Sequence, residues 1–306
     1  MLLLSRRITV GICAYNEGKN IGKLLNKILC KQEIPSDSEV LVVCSGCTDN
    51  TVDIVQEYAA KDSRVKPYVE IERRGKASAI NYILSQATGD VILFVSADTL
   101  PHENTLSKLM LKMELSNVGI VSGNPVPTNS PNSLVGRLVQ LLWSFHNHVF
   151  RELNDAGLAR HATEIFCIRK GILDKIPNET VNDDAYIAVM SKKKGWLIKY
   201  EAEAQVSICG PKTFQEYFRQ RRRIIFGHYQ LRKLTAESPQ YLAHFMPLHP
   251  IRVLKLTSWL FKKHDPLTLA AFMFTEFLLN AAAMGDFALG KNHFIWTALP
   301  STKIVS

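Results

Sequence analysis

Short apolar runs alternate with amphipathic stretches through the first hundred residues of the chain. Ile8–Ala14, Glu39–Cys44, Val65–Ile71 and Val91–Val95 have the composition and length of strands. Between them, Glu17–Leu29 places Ile21, Leu24, Leu25 and Ile28 on one helical face. A second helix begins at a Thr48 or Asp49 cap and runs through Tyr58 with Val52 and Val55 as its stripe, and a third spans Lys76–Gln86. Strands that alternate with helices predict βαβ units, a mostly parallel sheet and right-handed crossovers. The run Val91-Ile92-Leu93-Phe94-Val95 is unbroken and is bounded by Gly89-Asp90 and Pro101, which predicts a strand buried on both faces. Ligands of open α/β sheets bind outside the carboxyl ends of such strands, and Ser96-Ala97-Asp98 stands at that end.

The second half is less regular. Val118–Ser122 reads as a short strand, followed by a loop at Gly123–Pro131 that carries three prolines. Leu134–Leu153 has helical spacing and an aromatic–histidine patch, Trp143-Ser144-Phe145-His146-Asn147-His148. Thr163–Arg169 and Trp196–Ser207 read as strands, with an acidic turn, Asn182-Asp183-Asp184, and a helix at Ala185–Lys193 between them. Phe214–Leu234 is a strongly basic helix. From about Ser238 the character changes. Pro250–Lys263 sets Arg252, Lys255, Lys262 and Lys263 against Val253, Leu254, Leu260 and Phe261, with Trp259 at the boundary, which is the pattern of a helix lying in a membrane interface. Pro266–Met284 is more apolar but carries Thr268, Thr275, Glu276 and Asn280, so interfacial association is favoured over a true span. An ordinary amphipathic helix packed on the domain is the alternative.

A chain of 306 residues accommodates one large α/β domain with an appendage, or two modest domains, at an ordinary globular 21% charged and 46% hydrophobic. The net charge of +9 suits nucleic acid, anionic lipid or phosphorylated substrates alike. The six cysteines fall mostly in apolar runs, as reduced, buried cysteines do, and only Cys44-Ser45-Gly46-Cys47 has close spacing. No second pair stands at zinc-ligand distance from it. Met1-Leu2-Leu3-Leu4 is too short for a signal-peptide core, and nothing suggests secretion.

Four pieces carry chemistry in chain order: Ile12–Glu17 after the first strand, Ser96-Ala97-Asp98 after the fourth, the pair Asp183-Asp184, and Gln220-Arg221-Arg222-Arg223. Together they suit displacement at a carbon that bears a diphosphate leaving group. A strand-end carboxylate can ligate Mg²⁺ or Mn²⁺ beside a substrate diphosphate. Guanidinium groups neutralise the departing charge, and a separate carboxylate takes the proton of an attacking hydroxyl. Taken singly, a strand-end Asp is also a turn former, Asp183-Asp184 could simply cap a helix, and a basic run is also a nucleic-acid signal.

In this order the motifs resemble family 2 glycosyltransferases, the nucleotide-diphospho-sugar transferases of the GT-A fold. Ile8–Ile21 (ITVGICAYNEGKNI) is similar to the family's opening strand and donor loop, Val42–Thr51 (VVCSGCTDNT) to its second-strand loop, and Gly75–Asn81 (GKASAIN) to the next helix start. Phe94–Pro101 (FVSADTLP) stands at the DxD position, Asn182–Asp184 at the acidic site and Gln220–Ile224 (QRRRI) at the QxxRW motif, and Trp296–Lys303 (WTALPSTK) resembles a common ending. The resemblance covers 8–227 well. It implies an α/β GT-A fold, Rossmann-like with a mostly parallel central sheet and helices on both faces, plus a C-terminal helical, membrane-interfacial extension. Residues 1–237 would form the catalytic domain, split at 122/123 into nucleotide-sugar and acceptor halves, and 238–306 the extension.

The resemblance further implies that Ala14, Tyr15, Glu17, Ser45, Lys76, Ser96 and Ala97 line the donor pocket, with Gln220 and Arg223 near the diphosphate or the acceptor entry. Asp98 would ligate Mg²⁺ or Mn²⁺. Asp184 would be the general base, so the anomeric centre would invert. Gly123, Asn124, Thr163, Glu164 and Asp183 would border the acceptor. A UDP-sugar is the favoured donor and a lipid-linked or glycan hydroxyl the acceptor, at the cytoplasmic face of an anionic membrane, with no nucleic acid involved. Three motifs depart from the pattern. The first acid of DxD is Ser96, the tryptophan of QxxRW is Ile224, and Cys44-Ser45 stand where the family usually carries acids, one of which contacts uracil, which leaves the donor base open. A nucleotidyltransferase on a similar fold, or a non-catalytic basic protein binding membranes or nucleic acid, are the competing readings.

Overall fold

The computed structural model describes residues 6–237, 250–295 and 299–303, with the side chain of Arg252 also left out. The Met1–Leu4 stretch and Trp296–Ala298 of the expected ending lie outside the described residues. One sheet carries eight strands in the order β3-β2-β1-β4-β7-β6-β8-β5. They are β1 Ile8–Ala14, β2 Glu39–Ser45, β3 Val65–Glu70, β4 Val91–Ser96, β5 Thr99–Pro101, β6 Val118–Pro127, β7 Ile165–Arg169 and β8 Leu197–Ile208. The half built from β3, β2, β1 and β4 is parallel. Beyond it β7 runs antiparallel to both β4 and β6, so the sheet is mixed where the chain crosses into its second half.

Helices α1 Ile21–Lys31, α2 Thr51–Lys61 and α3 Lys76–Gln86 are the crossovers of the parallel half. Strand β4 is buried on both faces. Val91, Leu93 and Val95 point into one apolar cluster with α1, while Ile92 and Phe94 point into a second with α3. That period-2 split between two cores is why the sequence shows an unbroken apolar run rather than an alternating one.

Strand β6 and helix α6 differ from the sequence expectation. Strand β6 continues to Pro127 although Gly123–Pro131 reads as a loop. It pairs with β7 only through Ile120–Ser122, so Pro125 and Pro127 meet β8 alone and their missing N–H groups interrupt no second ladder. Pro67 is tolerated within β3 for the related reason that β3 is an edge strand. Helix α6, Asp183–Lys193, starts two residues earlier than expected and takes both acids into its first turn, where the helix dipole favours negative charge.

The remaining helices are α4 Thr105–Met113, α5 Leu134–Asp155, α7 Phe214–Thr235, α8 Pro250–Lys263 and α9 Pro266–Ala288, with a final 3₁₀ turn at Pro300–Thr302. Leu138, Leu142 and Phe145 of α5 share an apolar cluster with Ile225 and Phe226 of α7, Leu256 and Leu260 of α8, and Leu269, Phe272 and Leu279 of α9. The C-terminal helices therefore pack on the same core that supports α5 and α7. Two ion pairs add to this seam. The Arg221 guanidinium donates twice to Glu276, at 3.0 and 2.8 Å, and Arg222 pairs with Asp286.

Candidate active site

A cleft of about 1300 Å³ opens above the carboxyl ends of β1, β2 and β4 and extends along α5. Its lining includes Ala14 at the end of β1, Tyr15 and Glu17 from the loop after it, Ser45 from the end of β2, Lys76 at the start of α3, and Ser96, Ala97 and Asp98 from the end of β4. Thr163 and Glu164 before β7, Asp183 and Asp184 at the start of α6, and Gln220 and Arg223 of α7 complete the opposite wall. The chain brings these residues together across more than 200 positions of sequence.

Gly123 and Asn124 are not among the lining residues. Both lie within β6, where the Gly123 carbonyl accepts from the Thr163 hydroxyl at 2.7 Å and the Asn124 amide donates to the Ala202 carbonyl at 3.1 Å. The continuation of β6 past Ser122 buries what reads in sequence as an acceptor loop.

Lys76 and Asp183 form an ion pair at 2.9 Å across the cleft. Burial works against charge on Lys76, but the Asp183, Glu164 and Asp184 carboxylates outweigh it and raise its pKa, so the ammonium stays charged. Gly75 fixes the approach of this lysine, because it caps α3 at φ +90°, a conformation that disfavours any side chain.

Asp184 stands beside that pair. Burial first, and then the Asp183 charge, push its carboxyl up from 3.8 to about 6, against the pull of Lys76, the Ala185 N–H and Arg223. His161 approaches it with Nε2 at 3.8 Å from Oδ2. Burial lowers the His161 pKa to about 4, so the imidazole is neutral at ordinary pH, and its Nδ1 is buried without a hydrogen-bond partner. The acidic turn is held by α7: Asn182 donates to the Ile224 carbonyl at 2.9 Å, and Gly227 lets the helix come so close that a Cβ there would sit 2.4 Å from Asn182 Oδ1.

At the other end of the cleft, the Ser96 hydroxyl donates to Glu164 Oε2 at 2.9 Å. Burial, together with the Asp98 and Asp184 charges, raises the Glu164 pKa. Among the described residues no hydrogen bond or ion pair engages the Asp98 carboxylate. Glu17 is pushed up to about 7 by burial and by Asp98, although it pairs with Lys303. Lys303 also donates to the Tyr15 carbonyl at 3.0 Å. It arrives there because the Pro300–Thr302 turn is tied to the core: Ser301 bonds Glu216 of α7, and its carbonyl accepts from Cys209 Sγ at 3.4 Å.

Sequence reasoning did not single out Lys303, His161 or Arg73, whose guanidinium lies 3.7 Å over the Tyr15 ring. Lys303 lies inside the WTALPSTK ending, whose resemblance alone could have flagged it; His161 and Arg73 carry no spacing signal.

No group of three or more His, Cys, Asp or Glu side chains able to hold a metal occurs among the described residues. Mg²⁺ and Mn²⁺ are commonly bound through one or two carboxylates plus substrate phosphates. Asp98, directed into the donor side of the cleft, fits that mode and not a resident all-protein site.

The family model for Glycosyl transferase family 2 matches residues 9–176. The glycosyltransferase AglE of Haloferax volcanii is 25% identical over 256 residues, which cover 79% of this chain and 82% of that protein. A poly-beta-1,6-N-acetyl-D-glucosamine synthase of Staphylococcus aureus is 25% identical over 231 residues, 73% of this chain, and the match spans 55% of the synthase, about half its length. Among solved structures, the mannosyltransferase PcManGT from Pyrobaculum calidifontis, in complex with GDP-Man and Mn²⁺, superposes with a TM-score of 0.68 at 21% identity, over 94% of this chain and 88% of that one. S. aureus TarS 1–349 in complex with UDP-GlcNAc gives a TM-score of 0.54 at 16% identity, over 93% and 92%.

Proposed function

Because the chain belongs to glycosyl transferase family 2, we propose that it is an inverting, metal-dependent enzyme that moves a sugar from a nucleotide-diphosphate donor to a lipid or glycan hydroxyl. Membership of this family sets aside the nucleotidyltransferase and non-catalytic readings. The observation that carries the mechanism is the convergence of Asp98 and Asp184 on one cleft, with the Asp184 carboxyl held near 6. A base with that pKa is largely ionised at neutral pH yet still accepts a proton in the transition state.

The acceptor hydroxyl gives its proton to Asp184 as its oxygen bonds the anomeric carbon. The bond from that carbon to the diphosphate oxygen breaks on the opposite face, and the electron pair leaves with the nucleoside diphosphate, so the centre inverts. A divalent ion carried by the donor and held at Asp98 would neutralise the charge gathering on the diphosphate. Gln220 and Arg223 assist from α7, Tyr15 and Ser45 hold the nucleoside in the sheet's crevice, and Lys76 holds Asp183 and so keeps the base turn fixed. A UDP-sugar remains the favoured donor. GDP-sugars are the next to test, because PcManGT was solved with GDP-Man. The exposed Lys255, Lys262 and Lys263 of α8 support peripheral binding to an anionic membrane at its cytoplasmic face.

Asp184→Asn tests the base. It should lower turnover by about 10²–10⁴-fold while leaving the thermal shift with donor and Mn²⁺ intact. Full activity in that variant would overturn the assignment.

A further inference from the structure

Away from the donor-side residues, much of the cleft lining is apolar, although the ion-paired Arg221 and Glu276 also reach it. From Asp184 this limb runs past His146 and Phe150 along α5, between Leu142 and Val149 on one side and Leu256, Leu260 and Phe272 on the other. Its lining reaches Phe261 of α8 and Met273 of α9, which are 66% and 55% exposed. The limb therefore opens onto the outer surface of the C-terminal helices.

That surface is itself apolar. Helix α9 buries Thr268, Leu269, Phe272, Thr275, Leu279 and Ala283 against the core. Its opposite face exposes Leu267, Met273, Phe274, Phe277, Leu278 and Met284, with Met273, Phe274, Phe277 and Leu278 linked at spacings of three and four residues. Ile251 and Leu254 are also exposed on α8, the helix that carries the exposed Lys255, Lys262 and Lys263. Apolar residues on α8 and α9 beside exposed cations match the hydrocarbon edge and anionic headgroups of a bilayer. α9 is long and apolar enough to cross a membrane by length and composition alone. Its inner face, however, carries Glu276 and Asp286 ion-paired to Arg221 and Arg222 of α7, so a span would drag a second, charged helix into hydrocarbon.

We propose that the apolar limb seats the hydrocarbon chain of a membrane lipid whose head carries the acceptor oxygen, with the chain entering from the bilayer between Phe261 and Met273. The proposal rests on the glycosyltransferase reading and narrows its acceptor from lipid or glycan to lipid. The head reaches Asp184 while the chain stays in contact with Leu142, Phe145 and Val149, so the lipid never has to leave apolar surroundings to be glycosylated.

A photoactivatable diazirine analogue of hexadecanol, presented to the full chain in phosphatidylglycerol–phosphatidylcholine vesicles, tests this. Peptide mapping should find adducts on Leu142–Leu153 of α5 as well as on α8 and α9. Hexadecanol should compete at a concentration at least about tenfold below that of butanol, since each buried methylene adds to affinity. Thr257→Trp, in the half-buried wall of the limb, should cut the α5 adducts about tenfold, as a filled pocket excludes its ligand. The thermal shift with UDP- or GDP-sugar and Mn²⁺ should not change. Adducts confined to the exposed stripe of α9, or competition indifferent to chain length in the unmodified protein, would overturn the proposal and leave a glycan acceptor. Absence of any donor-induced thermal shift, with α5 labelling preserved, would count against the glycosyltransferase reading and not against the chain-binding limb.

Discussion

At the scale of single residues, Ser96 explains a departure from the family pattern that the sequence leaves unaccounted for. Its hydroxyl donates to Glu164 at 2.9 Å, within a cleft that also holds Asp98 and Asp184. An aspartate at 96, which would restore the DxD pattern, would set a second carboxylate against Glu164 where a donor now stands. Ser96→Asp should therefore lower stability at neutral pH by roughly 1–3 kcal/mol, the cost of replacing a half-buried hydrogen bond with like charges. Glu164 already has a raised pKa from burial and its acidic neighbours, so it protonates early as pH falls and the penalty should shrink. Thermal unfolding of the variant and the parent at pH 7 and pH 5 checks this; an equal deficit at both pH values would refute the electrostatic cause. That Asp98 and Asp184 belong to one cleft was legible because each stands in a motif. The Ser96–Glu164 bond was not, since 68 residues separate the partners and no periodicity links them.

At the scale of elements, the parallel half was readable because its signal is local. Each strand is an apolar run, each helix has a stripe, and the crossover rule joins them. The second half was less so, because what decides it is pairing between distant segments. β6 outlasts its prolines only because β8 supplies its partner, and β5 is three residues long with no pattern of its own. Glu39 shows how such long-range ties are held. It sits 2% exposed at the start of β2 and accepts from Thr9 of β1, Lys66 of β3 and both the N–H and hydroxyl of Thr88 before β4. Burial alone would raise its pKa, but these donors win and lower it from 4.5 to about 2. A carboxyl depressed in the folded state stabilises above its unfolded pKa and loses that contribution as pH falls toward the folded one. The difference corresponds to about 3 kcal/mol. Glu39→Gln should cost about 2–3 kcal/mol at pH 7 and progressively less between pH 4.5 and 2, measured by urea unfolding. A deficit that stays constant across that window would contradict the account.

At the scale of the whole molecule, one cleft is lined from both halves of the chain and from the C-terminal segment, with Lys303 beside Tyr15 and Glu17, and α8 and α9 beside α5; in the proposed mechanism the first half holds the donor and the second supplies the base. The donor side has one carboxylate, Asp98, without a protein partner among the described residues. Metal affinity should therefore depend on the diphosphate: calorimetry should find little Mn²⁺ binding to the empty protein and clear binding once a nucleoside diphosphate is present. Tight binding to the empty protein, abolished by Asp98→Ala, would contradict this.

The exposed apolar face of α9 makes the opposite demand, because that surface is present whether or not substrate is bound. Phe274 and Phe277 are 64% and 69% exposed on α9, and fully burying one aromatic side chain gives about 1.5–3 kcal/mol. Phe274→Glu and Phe277→Glu together should reduce sedimentation with phosphatidylglycerol vesicles by at least about 100-fold in affinity on that scale. Donor binding should persist, since neither residue lines the cleft. Raising salt in the parent protein should weaken binding only in part, as screening removes the lysine contribution and leaves the apolar one. Loss of all vesicle binding at high salt, with the double variant indistinguishable from its parent, would mean that the cations alone hold the protein to the surface. In that case the α9 stripe would play no part in membrane contact, and the route by which a lipid chain reaches Asp184 would have to begin elsewhere.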